Sequence, residues 1–198
     1  MDLKIKQISK PTKEQAQEAV RTLIAWAGDN PEREGVTDTP QRVTKAYKEI
    51  FAGYDENPSE ILSKTFRDNS GYDDIVLLRD ISFHSHCEHH LVPFFGKVHI
   101  AYLPNKEIVG LSKLARLTHV FARRLQTQEN MTAQIIDAIN QHLKPRGVAV
   151  MIEAEHLCMS MRGVSSPGVT TLTQCFSGVF DSDKSQRKKF FALLNLKR

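Results

Sequence analysis

Cysteine is scarce in this chain, with three in 198 residues. Three thiols cannot make the fully paired disulfide framework that staples small secreted domains, so each is a core filler, a nucleophile or a metal ligand. Long apolar runs are missing too. None approaches the roughly 18 residues needed to cross a bilayer, so no membrane partner is expected. The opening segment MDLKIKQISK has neither the apolar stretch nor the small-residue cleavage site of a signal peptide, and a cytoplasmic location is the expectation. Internal repeats and low-complexity tracts are absent as well. A composition of 40% apolar and 25% charged residues excludes a disordered chain. The net charge of +4 is not concentrated: the one dense basic run, Lys184, Arg187, Lys188 and Lys189, reads as a solvated helix face. Nucleic acid is therefore not the expected partner, whereas a small polyanionic substrate suits the charge.

What is present begins with helices. Thr12 and Gln15 form a capping box ahead of Ala16, Val20, Leu23, Ile24 and Ala27 at helical spacing, up to Gly28. Thr39-Pro40 starts a second helix with proline at its first position, carrying Val43, Ala46, Tyr47, Ile50 and Phe51 and ending at Gly53. Beyond residue 70 the period changes. Strands are predicted at 75–82, 97–103, 147–158 and 169–180. Two helices lie between the second and third of these. The first, capped by Ser112, carries Leu114, Leu117, Phe121 and Leu125; the other carries Met131, Ile135, Ile136, Ile139 and Leu143. A last helix covers 183–194. Strands in pairs, without strand–helix alternation, predict an α+β fold with an antiparallel four-stranded sheet and helices on one face. Residues 1–70 read as an N-terminal helical region appended to one integrated domain over 71–198.

The densest chemistry is His84-Ser85-His86-Cys87-Glu88-His89-His90. Cys87 and His90 are three apart, so one helical turn places both on one side. In 148–158, alternation puts Val148, Val150, Ile152, Ala154, His156 and Cys158 on one strand face, which ends in a histidine and a thiol. Cys87, His90 and Cys158 together make a Cys2His set. Zinc with three protein ligands keeps a fourth position for water, the catalytic arrangement, whereas closed structural sites have four. His84 and His86 are candidates for extra ligands or for hydrogen-bonded neighbours. Cys175 reads as a small hydrophobe, and His99, His119 and His142 as structural.

These residues resemble a known family. Cys87-Glu88-His89-His90 with Gly96, Gly110-Leu111-Ser112-Lys113-Leu114-x-Arg116, Gln126-x-Gln128-Glu129 and His156-x-Cys158-x-x-x-Arg162-Gly163 are similar to type I GTP cyclohydrolase, as are Arg33-Glu34-Gly35 and Asp38-Thr39-Pro40-x-Arg42. The match covers roughly residues 15 to 195. Leu125 departs from it, standing where many relatives have proline. The resemblance implies the tunnelling fold (four antiparallel strands, two helices on one side) and a homodecamer of two pentameric rings with active sites between subunits. It implies zinc-dependent hydrolysis of GTP at guanine carbon 8, with release of formate and formation of 7,8-dihydroneopterin triphosphate, the first step toward folate and pterins. It also implies roles: Cys87, His90 and Cys158 for the metal; His156, His89 and Ser112 for catalysis; Glu129 and Gln128 for guanine. Lys113, Arg116 and Arg162 fall to the triphosphate, with Arg42 and Lys45 beside them. Two other readings stay open. One is a related tunnelling-fold enzyme acting on another purine or pterin; the other is a structural zinc module that binds nucleic acid and recruits His84 or His86 as fourth ligand.

Overall fold

A computed structural model describes residues 9–66 and 71–196. The opening residues 1–8 and Ser70, where the expected domain boundary fell, lie outside them. By its internal contacts the chain divides after Ile50 into two compact units.

The first unit holds helices α1, Lys13–Trp26, and α2, Thr39–Ile50. The capping box forms as read: Thr12 Oγ1 accepts from Gln15 N, and Gln15 Oε1 accepts from Thr12 N at 2.9 Å. Helix α2 stops at Ile50, short of Gly53.

The second unit opens with a 3-10 turn, Ala52–Tyr54. Gly53 serves it by size. Its N donates to Arg123 O at 3.1 Å, and a Cβ there would meet Val120 O at 2.0 Å. Then follow α3, Pro58–Leu62; β1, Thr65–Phe66; β2, Val76–Cys87; β3, Pro93–Leu103; β4, Ile108–Val109; and α4, Leu111–Ala122. The second half runs β5, Leu125–Gln126; α5, Gln128–Leu143; β6, Gly147–His156; α6, Leu157–Ser160; β7, Thr170–Gly178; α7, Val179–Ser182; and α8, Lys184–Leu194. The main sheet has the order β5-β2-β3-β6-β7. Its four long strands are antiparallel, as expected, and two-residue β5 adds a parallel pairing to the end of β2.

One face of the sheet carries α4 and α5. Leu114, Leu117 and Phe121 of α4 and Met131, Ile135 and Ile139 of α5 are buried against Phe83, Phe94, Val98, Ile100, Val150 and Ile152. The opposite face is partly covered as well, since Phe180 and Phe190 pack on Ala101, Leu103, Ala149 and Met151. Helices thus lie on both faces, with the expected pair on one and the C-terminal helix on the other.

Strand β2 departs most from expectation. It runs five residues past Ser82, to Cys87, because Ser82, His84 and His86 alternate with buried Phe83, Ser85 and Cys87. A bulge breaks its register between Leu78 and Ile81, with Asp80 at φ 64. Before the bulge Val76 and Leu78 face the α4–α5 core; after it Ile81, Phe83 and Cys87 do. The extra residue shifts the period-2 alternation by one, and that brings Cys87 to the helix side.

Candidate metal centre

Cys87 ends β2, and the chain turns immediately. Leu91 N donates to Cys87 O at 2.9 Å, and Cys87 N to Val92 O at 2.9 Å. Glu88 N donates to Gln126 O at 3.0 Å, so β5 holds the turn. The expected helical turn is therefore a hairpin turn, and it still brings the His90 ring back to the thiol: Cys87 Sγ lies 3.9 Å from His90 Nδ1. Cys158 arrives differently from its sequence reading. Strand β6 ends at His156, and Cys158 sits in the single turn α6, where Met161 N donates to Leu157 O at 2.9 Å. Ligand atoms of Cys87, His90 and Cys158 all lie within 4.8 Å of one another.

These donors fit a zinc ion. A tetrahedral ion about 2.3 Å from sulfur and about 2.0 Å from nitrogen spaces its ligands roughly 3.5–3.8 Å apart, close to the 3.9 Å between Cys87 Sγ and His90 Nδ1. Burial pushes the Cys158 thiol above its ordinary pKa, and the neighbouring Cys87 thiol pushes it further. Two sulfurs held this close repel as thiolates, and a divalent cation between them reverses that preference. His84 and His86 are not part of the group. Alternation sends them to the other side of the strand, where His86 meets Phe51 edge-on at 5.3 Å and His84 lies against Phe95 at 5.8 Å. Exposed His89 has Nδ1 3.5 Å from Cys87 Sγ and Nε2 3.9 Å from Glu88.

His156 is half-buried at the end of β6. Its ring stacks on Phe94 with centroids 4.6 Å apart and planes 1° apart, and its Nε2 lies 2.8 Å from Gln128 Oε1. Burial lowers its pKa below the ordinary histidine value, and the Glu129 carboxylate partly opposes this. Gln128 and Glu129 open α5, whose N-cap Thr127 accepts from Asn130 N. Glu129 is exposed while Gln128 is 1% exposed, so neighbouring residues serve opposite directions.

Helix α4 starts at Leu111 with Gly110 as N-cap, so Ser112 does not cap it. Val109, immediately before, is held by β4 and by the Tyr102 hydroxyl, which fixes the start of the helix two residues ahead of Ser112. Ser112 and Arg116 are exposed and Lys113 half-exposed. Arg162 is exposed after α6, close enough to Cys158 to favour its thiolate. Lys113, Arg116 and Arg162 have no ion-pair partner among the described residues. Arg42 and Lys45 lie on α2 in the first unit, where Arg42 pairs with Asp38 at 3.2 Å.

The sequence reading missed Phe94 and the buried bonds of Gln128. Carrying the alternation of Val98 back through Gly96 would have put Phe94 on the core face. Nothing in the sequence marks the partners of Gln128, because they come from β6 and β7.

An open Cys2His group beside a held histidine, on an α+β scaffold, marks a metal-dependent enzyme. Sequence comparison gives the family: the family model described as GTP cyclohydrolase I matches residues 16–195. A protein of Brucella anthropi named GTP cyclohydrolase 1 is 60% identical over 184 residues, covering 93% of this chain and 86% of its own. One of the same name from Allorhizobium ampelinum is 56% identical over 198 residues, covering 98% of each chain. The chain belongs to the GTP cyclohydrolase I family and is an enzyme of that type. Among solved structures, the archaeosine synthase QueF-Like in its apo form is 15% identical, covers 54% of this chain and 96% of its own, and has a TM-score of 0.46.

Proposed function

We propose that this enzyme hydrolyses GTP at guanine carbon 8, releases formate and recloses the product to 7,8-dihydroneopterin triphosphate, using zinc held by Cys87, His90 and Cys158. The observation that carries the reading is the approach of those three ligand atoms to within 4.8 Å of one another, from two separate chain segments. Zinc bound there supplies a Lewis acid that lowers the pKa of water to about 7, which furnishes the nucleophile that carbon 8 requires.

The remaining work falls to the chain. His156 donates a proton to N7 of guanine, which makes carbon 8 electrophilic. Its lowered pKa makes it a willing donor once charged, and the Glu129 carboxylate limits the cost of charging it. Glu129 accepts from N1–H and the 2-amino group of guanine, two charge-assisted bonds to one carboxylate. Lys113, Arg116 and Arg162 bind the triphosphate, with Arg42 and Lys45 contributing. The exposure of the four other than half-exposed Lys113, and the lack of ion-pair partners for the first three among the described residues, support that role. His89 moves a proton during ribose opening, and Ser112 assists the later rearrangement.

The working form is a homodecamer of two five-membered rings with sites between subunits. Two sheet edges that are open among the described residues support it. Strand β7 ends the sheet on one side, and on the other β5 pairs only with His86 and Cys87 of β2. Unpaired edges of this length invite pairing with another copy. No helix among the described residues is long and apolar enough to cross a membrane, in keeping with a cytoplasmic enzyme.

The experiment is direct. Purified enzyme with GTP should release formate and yield a product that fluoresces after oxidation and dephosphorylation. Unchanged GTP in the presence of zinc would defeat the reading.

A further inference from the structure

The hydrogen bonds around Gln128 fix where its protons are. Its Nε2 lies 3.0 Å from Ile152 O, 3.0 Å from Thr171 O and 3.1 Å from Thr173 Oγ1. Backbone carbonyls have no proton to give, so the NH2 end must point at them and share its two protons among the three acceptors. A reversed amide would set Oε1 against two carbonyl oxygens. Thr132 confirms the direction. Its hydroxyl donates to Gln128 O at 2.7 Å, which leaves Oγ1 to accept from Thr173 at 2.8 Å. Thr173 therefore donates to Thr132 and accepts from Gln128. The chain of bonds starts and ends on one residue, and the direction of each hydroxyl and of the amide is set.

Gln128 Oε1 consequently faces His156 Nε2 at 2.8 Å and can only accept. Nε2 must carry a hydrogen, so Nδ1 is the nitrogen left free. Phe94, itself fully buried, fixes the plane of the same ring by stacking. Plane and donor end are both set by residues within the core.

We propose that Gln128 is a positioning residue: it holds the His156 ring with Nε2 as donor and presents Nδ1 to the substrate. The proposal rests on the role given to His156 above and assigns the Gln128 side chain to that histidine, with no contact to guanine.

Kinetics on the zinc-loaded full-length enzyme test it. Gln128→Met removes the acceptor and should lower kcat about 10–100-fold, the usual scale for losing an orienting partner, with KM for GTP changed less than about threefold. Gln128→Glu, buried as the neutral acid, keeps an acceptor oxygen for His156 and one O–H to give to Ile152 O or Thr171 O, and should regain at least about a tenth of wild-type kcat. In a His156→Ala background, Gln128→Met should cost nothing more. Thr173→Val leaves the Gln128–His156 bond in place and should keep kcat within about threefold. A raised KM with unchanged kcat, losses that multiply in the double variant, or a Thr173→Val loss as deep as that of Gln128→Met would overturn the proposal. If Gln128→Met does not fold, Gln128→Glu and Thr173→Val decide: both active supports it, either inactive overturns it. Wild-type enzyme that leaves GTP unchanged would fail the functional reading itself, whereas an active wild type with an unaffected Gln128→Met would fail this proposal alone.

Discussion

At the scale of residues, the account turns on which side chains the fold delivers to one point. Cys87, His90 and Cys158 were legible in the sequence because a thiol and an imidazole three apart, with a second thiol at the end of an apolar strand, form a recognisable donor set. Their local structure was less legible. Cys87 ends a strand that pairs with neighbouring β3 and with distant β5, and Cys158 lies on a helical turn just past the end of β6. Phe94 was within reach of the alternation that runs back from Val98, whereas the Gln128 network was not legible, because its partners come from β6 and β7. Replacing Cys158 by Ser should cut bound zinc from about one per chain to well below half after dialysis, because a hydroxyl does not replace a thiolate ligand. Metal analysis of the folded protein checks this, and full zinc retention would remove Cys158 from the set. Replacing Phe94 by Ala should cost about 3–5 kcal/mol of stability in denaturant unfolding, the usual range for a buried aromatic.

At the scale of elements, the bulge in β2 decides the site. The strand faces its core with even-numbered residues before Asp80 and odd-numbered ones after it. The sequence reading ran one strand through Arg79-Asp80 to Ser82 and did not show this, because a bulge is defined by the pairing with β3. Deleting Asp80 should return Cys87 to the wrong face, so the protein should lose zinc binding even if its helical circular dichroism persists. The bulge also has a pH-sensitive neighbour. His99 Nδ1 accepts from Asp80 N at 3.1 Å, and burial holds the His99 pKa below its ordinary value despite Asp80 and Glu153, with Arg79 and Lys97 acting in the same direction as burial. Burial lowers His119 likewise. A histidine whose folded pKa is depressed stabilises the fold fully above its unfolded pKa, about 6.5, and that contribution is lost as pH falls through the folded value. Melting temperature should therefore decline as pH drops below about 6.5. His99→Gln, which keeps an acceptor for Asp80 N and cannot be protonated, should show a shallower decline. An identical slope would detach His99 from this dependence.

At the scale of the molecule, the order of the long helices and strands, the antiparallel sheet and the helices on one face were legible in the sequence pattern. The second face was not, because the short C-terminal helix reads as polar until Phe180 and Phe190 are seen against Ala101 and Met151. The open edges of β7 and β2 lead to a prediction about assembly. The protein should sediment as a species of about ten chains, and a monodisperse active monomer would contradict sites between subunits. The central claim is that a zinc ion at Cys87, His90 and Cys158 drives hydrolysis at carbon 8 of GTP. Formate release from GTP, measured before and after chelation and again after zinc is restored, tests it most directly. The account predicts turnover that disappears with the metal and returns with zinc. Formate release that persists in demonstrably metal-free enzyme would contradict it.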